Sequence, residues 1–240
     1  MTGIEFAEVE PFVGGGMRDP KQNLLNEMER AGVTPSYVPP VLLHLSDRLF
    51  LLIANHEYGV SATDASAVTV ATLRARKEVH SIVDALRRLG GAWADLEIVA
   101  TAEQIGVREG RRIHGRYTVT LDDMIDGREH ADAVCRATFG IDIHATDPAQ
   151  TRGFDVPRRE GVRVKTKPYD IPVRALIARD VNNLLLAGRC ISGDFFAHSS
   201  YRVTGNAVAM GEAAGKLAAA AALRGMTPHE VALRTSEHSA

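Results

Sequence analysis

The apolar positions change spacing along the chain, and each spacing predicts an element. Val68, Leu73, Val79, Ile82, Val83, Leu86 and Leu89 recur at intervals near three and four between Thr63 and Leu89. That period predicts one long amphipathic helix. Arg74, Arg76, Lys77, Arg87 and Arg88 fall on its other face, Thr63 or Asp64 caps it, and Gly90-Gly91 stops it. A shorter helix is expected from Asp19 as N-cap and Pro20 at the first position, running to about Arg30 and ending at Gly32. Val41 to Leu45 and Arg48 to Ala54 predict two short strands joined at Ser46-Asp47. The second, RLFLLIA, is nearly all apolar, which predicts cover on both of its faces.

Further along, Leu96 to Ala100 reads as a weak strand, and Thr120 opens a short helix with Asp122 and Asp123 in its first turn. Phe139 to His144, FGIDIH, alternates like a strand. Thr146 to Arg163 is polar, with prolines at 148 and 157, and reads as an exposed excursion. Tyr169 to Ala175 is a strand whose Pro172 puts it at an edge or a strand start. Leu184 to Gly188 is a short apolar run ending in glycine, the pattern of a buried parallel strand. An Ala/Gly-rich helix follows from about Gly205 to Leu223, Gly225 ends it, and Thr227-Pro228 begins a last short helix.

Composition narrows the class. The 240 residues are one large domain or two small ones, at roughly 100–200 residues each. Apolar residues are 45% and charged residues 24%, which argues against a disordered chain. The net charge of -2 excludes a general attraction to nucleic acid or anionic lipid. Aromatics are only 5% and do not interleave with basic residues, so no nucleic-acid partner is expected. Cys135 and Cys190 are the two cysteines, with no CxxC, which excludes a disulfide framework and an all-cysteine cluster. MTGIEFAEVE has no basic n-region, and no stretch reaches about 18 uncharged apolar residues. The expectation is a cytoplasmic protein with no membrane partner.

Candidate chemistry concentrates between Asn183 and Leu223. A glycine-bearing turn before a helix offers free backbone N–H groups at a positive dipole end, which suits phosphate. Gly205, Ala209, Gly211, Ala214, Gly215 and Ala218 equally suit a helix packed tightly on a sheet. Arg108, Arg111, Arg112 and Arg116, with Glu109 among them, form the densest basic cluster. It reads either as a carboxylate or phosphate site or as a paired network. A metal site from His44, His56 and Glu57 matches no standard zinc spacing, so no metal is expected.

The stretch NLLLAGRCISGDFFAHSSYRVTGNAVAMGEAAGKLAA resembles the C-terminal flavin-binding segment of FAD-dependent oxidoreductases of the two-dinucleotide-binding group. IGVREGRRIHGRYTVTLDDM and FGIDIHATDP resemble two further blocks of that family, and GVSATDASAVTVATLRARKEV its substrate-domain helix. Together they cover about residues 48 to 224. The resemblance implies an α/β (α+β in detail) flavoprotein fold, an incomplete FAD/NAD(P)-binding-like one. It implies a substrate-binding domain with a mixed sheet over residues 1–168 and the C-terminal strand, loop and helix of the FAD-binding domain over 169–240. It further implies that Gly188, Arg189, Cys190, Ile191 and Ser192 lie along FAD. Arg202, Val203, Thr204, Gly205 and Asn206 would then lie near the pyrimidine end of its isoalloxazine. The wider group has Gly-Asp at the strand end; Gly188-Arg189 stands there, and Asp194 is too far along to be equivalent.

Such a flavoprotein opens with a strand and GxGxxG. No GxGxxG occurs in this sequence, and Gly14-Gly15-Gly16 follows no buried strand. Three readings follow: a subunit of a split enzyme, a fragment or mis-started frame, or a descendant that no longer binds flavin. Met1 and the full opening region favour a separate product. The expected function is therefore a FAD-linked hydride transfer on a small organic substrate, with a partner chain supplying the ADP half. The alternative is a non-catalytic, degenerate chain used for binding or assembly. For acid–base roles the candidates are His198, Tyr201 and His144, each with a purely structural reading beside it.

Overall fold

The structure is a computed structural model and describes residues 1–14, 18–144, 158–159 and 162–237. Two compact units divide the chain, one over Met1–Gly106 and one over Val107–His144 with the described residues from 158 onward.

In the first unit α1 (Phe6–Val9) and a 3-10 turn (Glu10–Phe12) precede α2 (Arg18–Arg30). Asp19 and Pro20 lie inside the first turn of α2, where an acidic residue and a missing N–H are both favourable. Gly32, at φ +81°, turns the chain away after its end. The hairpin follows: β1 (Val41–Ser46) and β2 (Leu49–Ile53) pair antiparallel, with Val41 opposite Ile53 and His44 opposite Phe50. The cover expected on both faces of β2 is absent. Phe50 is buried, whereas Leu49, Leu51 and Ile53 are exposed. In an antiparallel pair successive side chains take opposite faces, and the packed cluster of Leu24, Met28, Leu42 and Phe50 occupies one of them.

Helix α3 (Ala65–Leu89) starts where Asp64 accepts from the N–H groups of Ser66 (2.9 Å) and Ala67 (3.1 Å). Ile82, Val83 and Leu86 are buried as the spacing predicts. Leu73 is instead 61% exposed, and Ala71 and Ala75 take the inner face of the first half. A closely approached helix buries its smallest residues, and the apolar period alone does not reveal that. After Gly90 a 3-10 turn (Gly91–Trp93) seats Trp93, whose indole N–H donates to Glu27 at 3.0 Å. The weak strand expected at 96–100 reduces to one bridge between Thr2 and Glu97.

The second unit opens with α4 (Leu121–Asp126). Thr120 opens it with Asp122 and Asp123 in the first turn, as the sequence predicts, and Thr120 and Asp123 form a reciprocal capping box. Strand β3 (Ala133–Ala137) comes next, then β4 (Arg158–Arg159) and β5 (Val162–Arg163), which pair with each other. β6 (Tyr169–Pro172) pairs antiparallel with β3, Ala137 opposite Tyr169, and a 3-10 turn (Val173–Ala175) continues it. The strand expected at 139–144 lies upstream, at 133–137. In this register the next partner is Pro168, which has no N–H to extend the ladder. Of the expected excursion, residues 146–157 and 160–161 lie outside the described residues.

The buried parallel strand expected at 184–188 is likewise not formed. Leu185 makes one antiparallel bridge to Ile177, Leu184 is exposed, and Gly188–Cys190 is a 3-10 turn. A buried parallel strand needs strand neighbours, and among the described residues the sheets are two-stranded and antiparallel. The mixed sheet is thereby corrected, and the class is α+β. Helices α5 (Phe195–Tyr201), α6 (Thr204–Arg224) and α7 (Pro228–Glu237) complete the chain, with Gly225 left-handed after α6.

Candidate functional site

Every candidate cofactor or catalytic residue belongs to the second unit. Gly188 begins the turn after Ala187 at φ +72°, a conformation other residues rarely adopt. A side chain there would also meet Ala207 of α6 at 3.4 Å. Arg189 bonds through its guanidinium to the carbonyl of Val107, and the Cys190 thiol donates to Ala187 O at 3.3 Å. Ile191 and Ser192 are buried, and the Ser192 hydroxyl lies 3.0 Å from that of Thr118.

Asp194 then organises two helix starts. One carboxylate oxygen accepts from Ala197 N at 2.8 Å and caps α5; the other accepts from Leu121 N at 2.7 Å, at the start of α4. Its carbonyl accepts from Arg112 at 3.2 Å. Helix α5 buries Tyr201, whose hydroxyl donates to Ile191 O at 3.2 Å and whose ring stands edge-on to His198 at 5.5 Å. Burial pushes the Tyr201 phenol well above its ordinary range, so it stays protonated. His198 is 1% exposed, and among the described residues neither ring nitrogen has a hydrogen-bond partner. Burial, then the charges of Arg112 and Arg202, lower its pKa to about 4.

Arg202 turns the corner between α5 and α6 with a guanidinium only 7% exposed. It donates to Glu109 at 3.1 Å and to Asp142 O at 2.6 Å. The Asp142 carboxylate lies 2.9 Å from His144 Nε2, which is 2.8 Å from Arg108. A neutral Nε2 takes the Arg108 N–H; a protonated one donates to Asp142. The hydrogen bond with His144, and then the charges of Arg108 and Arg202, hold the Asp142 carboxyl below its usual range. His198 and Tyr201 are thus in ring contact, and His144 joins them through Asp142, Arg202 and Glu109. Asp142 was missed from the sequence, although its place two residues before His144 was a usable signal.

Helix α6 begins without a side-chain cap: Val203 is extended and supplies none. The first N–H groups of a helix have no partner inside it, so Thr204, Gly205 and Asn206 present donors at its positive end. A side chain built on Gly205 would meet nothing within 4 Å. The Asn206 amide turns back to Tyr201 O at 3.5 Å.

The family model described as FAD dependent oxidoreductase matches residues 13–239, nearly the whole chain. The chain belongs to the FAD dependent oxidoreductase family. No curated protein and no solved structure matches it.

The family's cofactor is FAD, and this oxidoreductase's residues fit such a group on three observations: the uncapped start of α6, the left-handed Gly188 against α6, and the unpartnered nitrogens of His198. The Ser192 hydroxyl and the Arg202 guanidinium are engaged within the chain, so they would contribute through main chain. Elsewhere, His44 bonds Asp47 O at 2.7 Å, His56 stacks on Tyr58 and Glu57 pairs with Arg74. Among the described residues no group of three or more His, Cys, Asp or Glu could hold a metal ion. Among them, too, no helix is long and apolar enough to cross a membrane.

One prediction follows for this flavoprotein chain without any ligand. A histidine whose folded pKa is depressed from 6.5 to about 4 favours the neutral form in the fold. Its contribution is complete above pH 6.5 and is lost as pH falls towards 4, on the order of 2–3 kcal/mol. Urea unfolding between about pH 7 and pH 4.5 is expected to show this slope, and His198→Gln to reduce it. His229, shifted in the same direction by burial, contributes in the same sense and is left in place in the variant. An identical slope in the variant would contradict the assignment.

Proposed function

We propose that the chain forms one side of the active site of a FAD-dependent oxidoreductase acting on a small organic substrate. The observation that carries the reading is the uncapped N-terminus of α6 directly after the His198–Tyr201–Arg202 corner. FAD, when bound, supplies N5 as the hydride donor or acceptor. Main-chain donors at Val203, Thr204, Gly205 and Asn206 would face its pyrimidine end and stabilise negative charge there. Gly188, Arg189, Cys190, Ile191 and Ser192 would line it from the other side. His198, neutral above about pH 4, would offer one donor and one acceptor to bound groups, with Tyr201 holding its ring. His144 would serve as a second acid–base group.

In this reading residues 1–168 bind substrate and 169–240 serve the cofactor. That boundary is one of roles, since Val107–His144 are compact with the cofactor segment. The sequence has no GxGxxG, so the ADP half of the site would come from a partner chain, making the working enzyme a heteromer. The test is to purify the chain alone and co-expressed with a candidate partner carrying that motif, and to record visible spectra. Stoichiometric flavin in the complex only is the expected result. A colourless, stably folded chain in both preparations would sink the reading.

A further inference from the structure

A buried polar group without a partner calls for an explanation, because its desolvation is uncompensated. Among the described residues His198 has no well-formed hydrogen bond at either ring nitrogen, and the Arg189 main chain alone comes near enough to favour its protonation as a hydrogen-bond partner. The charges around it come from several segments. Arg112 lies before α4, Arg202 between α5 and α6, and the main chain of Arg189 approaches from the turn, while the Tyr201 ring stands edge-on within α5. Glu109 brings the opposite sign. Its Oε1 is 3.9 Å from His198 Nδ1, and it is the carboxylate within ion-pair reach of that ring among the described residues. Glu109 is also 54% exposed, whereas His198 is 1% exposed.

The two exposures define a path. One end of the Glu109–His198 pair is in water and the other is closed off from it. Arg202, bonded to the same Oε1, keeps the carboxylate over the imidazole. At 3.9 Å the gap is too long for a hydrogen bond but short enough for a side-chain rotation, or one bridging water, to close.

We propose that Glu109 is the proton-exchange partner of His198, the carboxylate through which the buried imidazole trades protons with solvent. The ring passes a proton without becoming an imidazolium: Nε2 takes one from a bound group as Nδ1 releases one to Glu109, which gives it to water. The imidazole ends as the other tautomer, and the reverse passage restores it. This agrees with a ring that burial and two arginines hold neutral. Glu109 acts through His198 and is a positioning residue. The inference rests on reading His198 as the acid–base group of the flavin site, but its test needs no flavin.

The experiment is NMR on the full chain labelled at histidine, following the exchange of the His198 ring proton with water and its titration. Glu109→Gln is expected to slow that exchange at least about tenfold and to lower the titration midpoint further. Added formate should restore much of the rate. Glu109→Asp, which keeps a carboxylate and the pairing with Arg202, should stay within about threefold of the parent chain. A parent rate in Glu109→Gln with an intact amide spectrum would overturn the proposal. So would a rate equally slow in Glu109→Asp, because loss of the pocket's shape and not of a proton carrier would then explain both. Should Glu109→Gln fail to fold, Glu109→Ala decides: exchange slowed at least about tenfold and restored by formate supports the path, and exchange at the parent rate, insensitive to formate, refutes it. A colourless complex in the spectral test would remove the flavin reading and leave this result standing.

Discussion

Replacing Gly205 with tryptophan is expected to abolish FAD retention while leaving the stability of the chain within about 0.5 kcal/mol. The two halves of that expectation rest on one fact. Among the described residues, and apart from its own turn of helix, no atom lies within 4 Å of a β-carbon built on Gly205, so a side chain there starts into open space. Gly205 is the second residue of α6, among the first free N–H groups of the helix, where the cofactor's polar edge is proposed to bind. A bulky group there would exclude the ligand and spare the fold. Far-ultraviolet circular dichroism through a urea titration checks the first half. Flavin content of the purified complex checks the second, and unchanged flavin would refute the placement of α6 against the cofactor.

The second large effect is a packing one. Gly193→Ala should destabilise the second unit by about 2–3 kcal/mol. A β-carbon at Gly193 would stand 2.4 Å from Tyr201 Cε1 and 2.6 Å from its hydroxyl oxygen. Tyr201 is fully buried and bonded to Ile191 O, so the ring has little room to yield. Pushing it also disturbs His198, whose ring meets that of Tyr201 in a T-shaped contact. Urea unfolding of Gly193→Ala, Tyr201→Leu and the double variant gives the coupling between the two positions. A strongly favourable coupling is expected, because leucine vacates the space that the new methyl needs. Additive losses would mean that the cost arises elsewhere.

Legibility in the sequence followed the range of the interaction. The cap at Thr120–Asp123 and the ends of α6 at Thr204 and Gly225 are local, and they were readable. The strand at 139–144 failed because its fate depends on Pro168, a residue across the ladder. The parallel strand at 184–188 failed because its pattern is real but parallel neighbours are absent among the described residues. Near the proposed site, the sequence marks Gly188, left-handed before its turn, and Gly205, in the first turn of α6. The surroundings of His198 were not readable, since Arg202 and Glu109 meet across 93 residues of sequence. The basic cluster at 108–116 was seen as a patch, but which arginine pairs with which carboxylate is decided by the fold.

Asp194 ties the starts of α4 and α5 to a single carboxylate. Two rods fastened to one pin cannot swing independently. Any motion that carries α5, and with it His198 and Tyr201, must either drag α4 along or break a charge-assisted bond at one of the two helix starts. Loosening at this corner is therefore expected to be collective and slow rather than a local fraying, and the geometry around His198 inherits the stiffness of both helices.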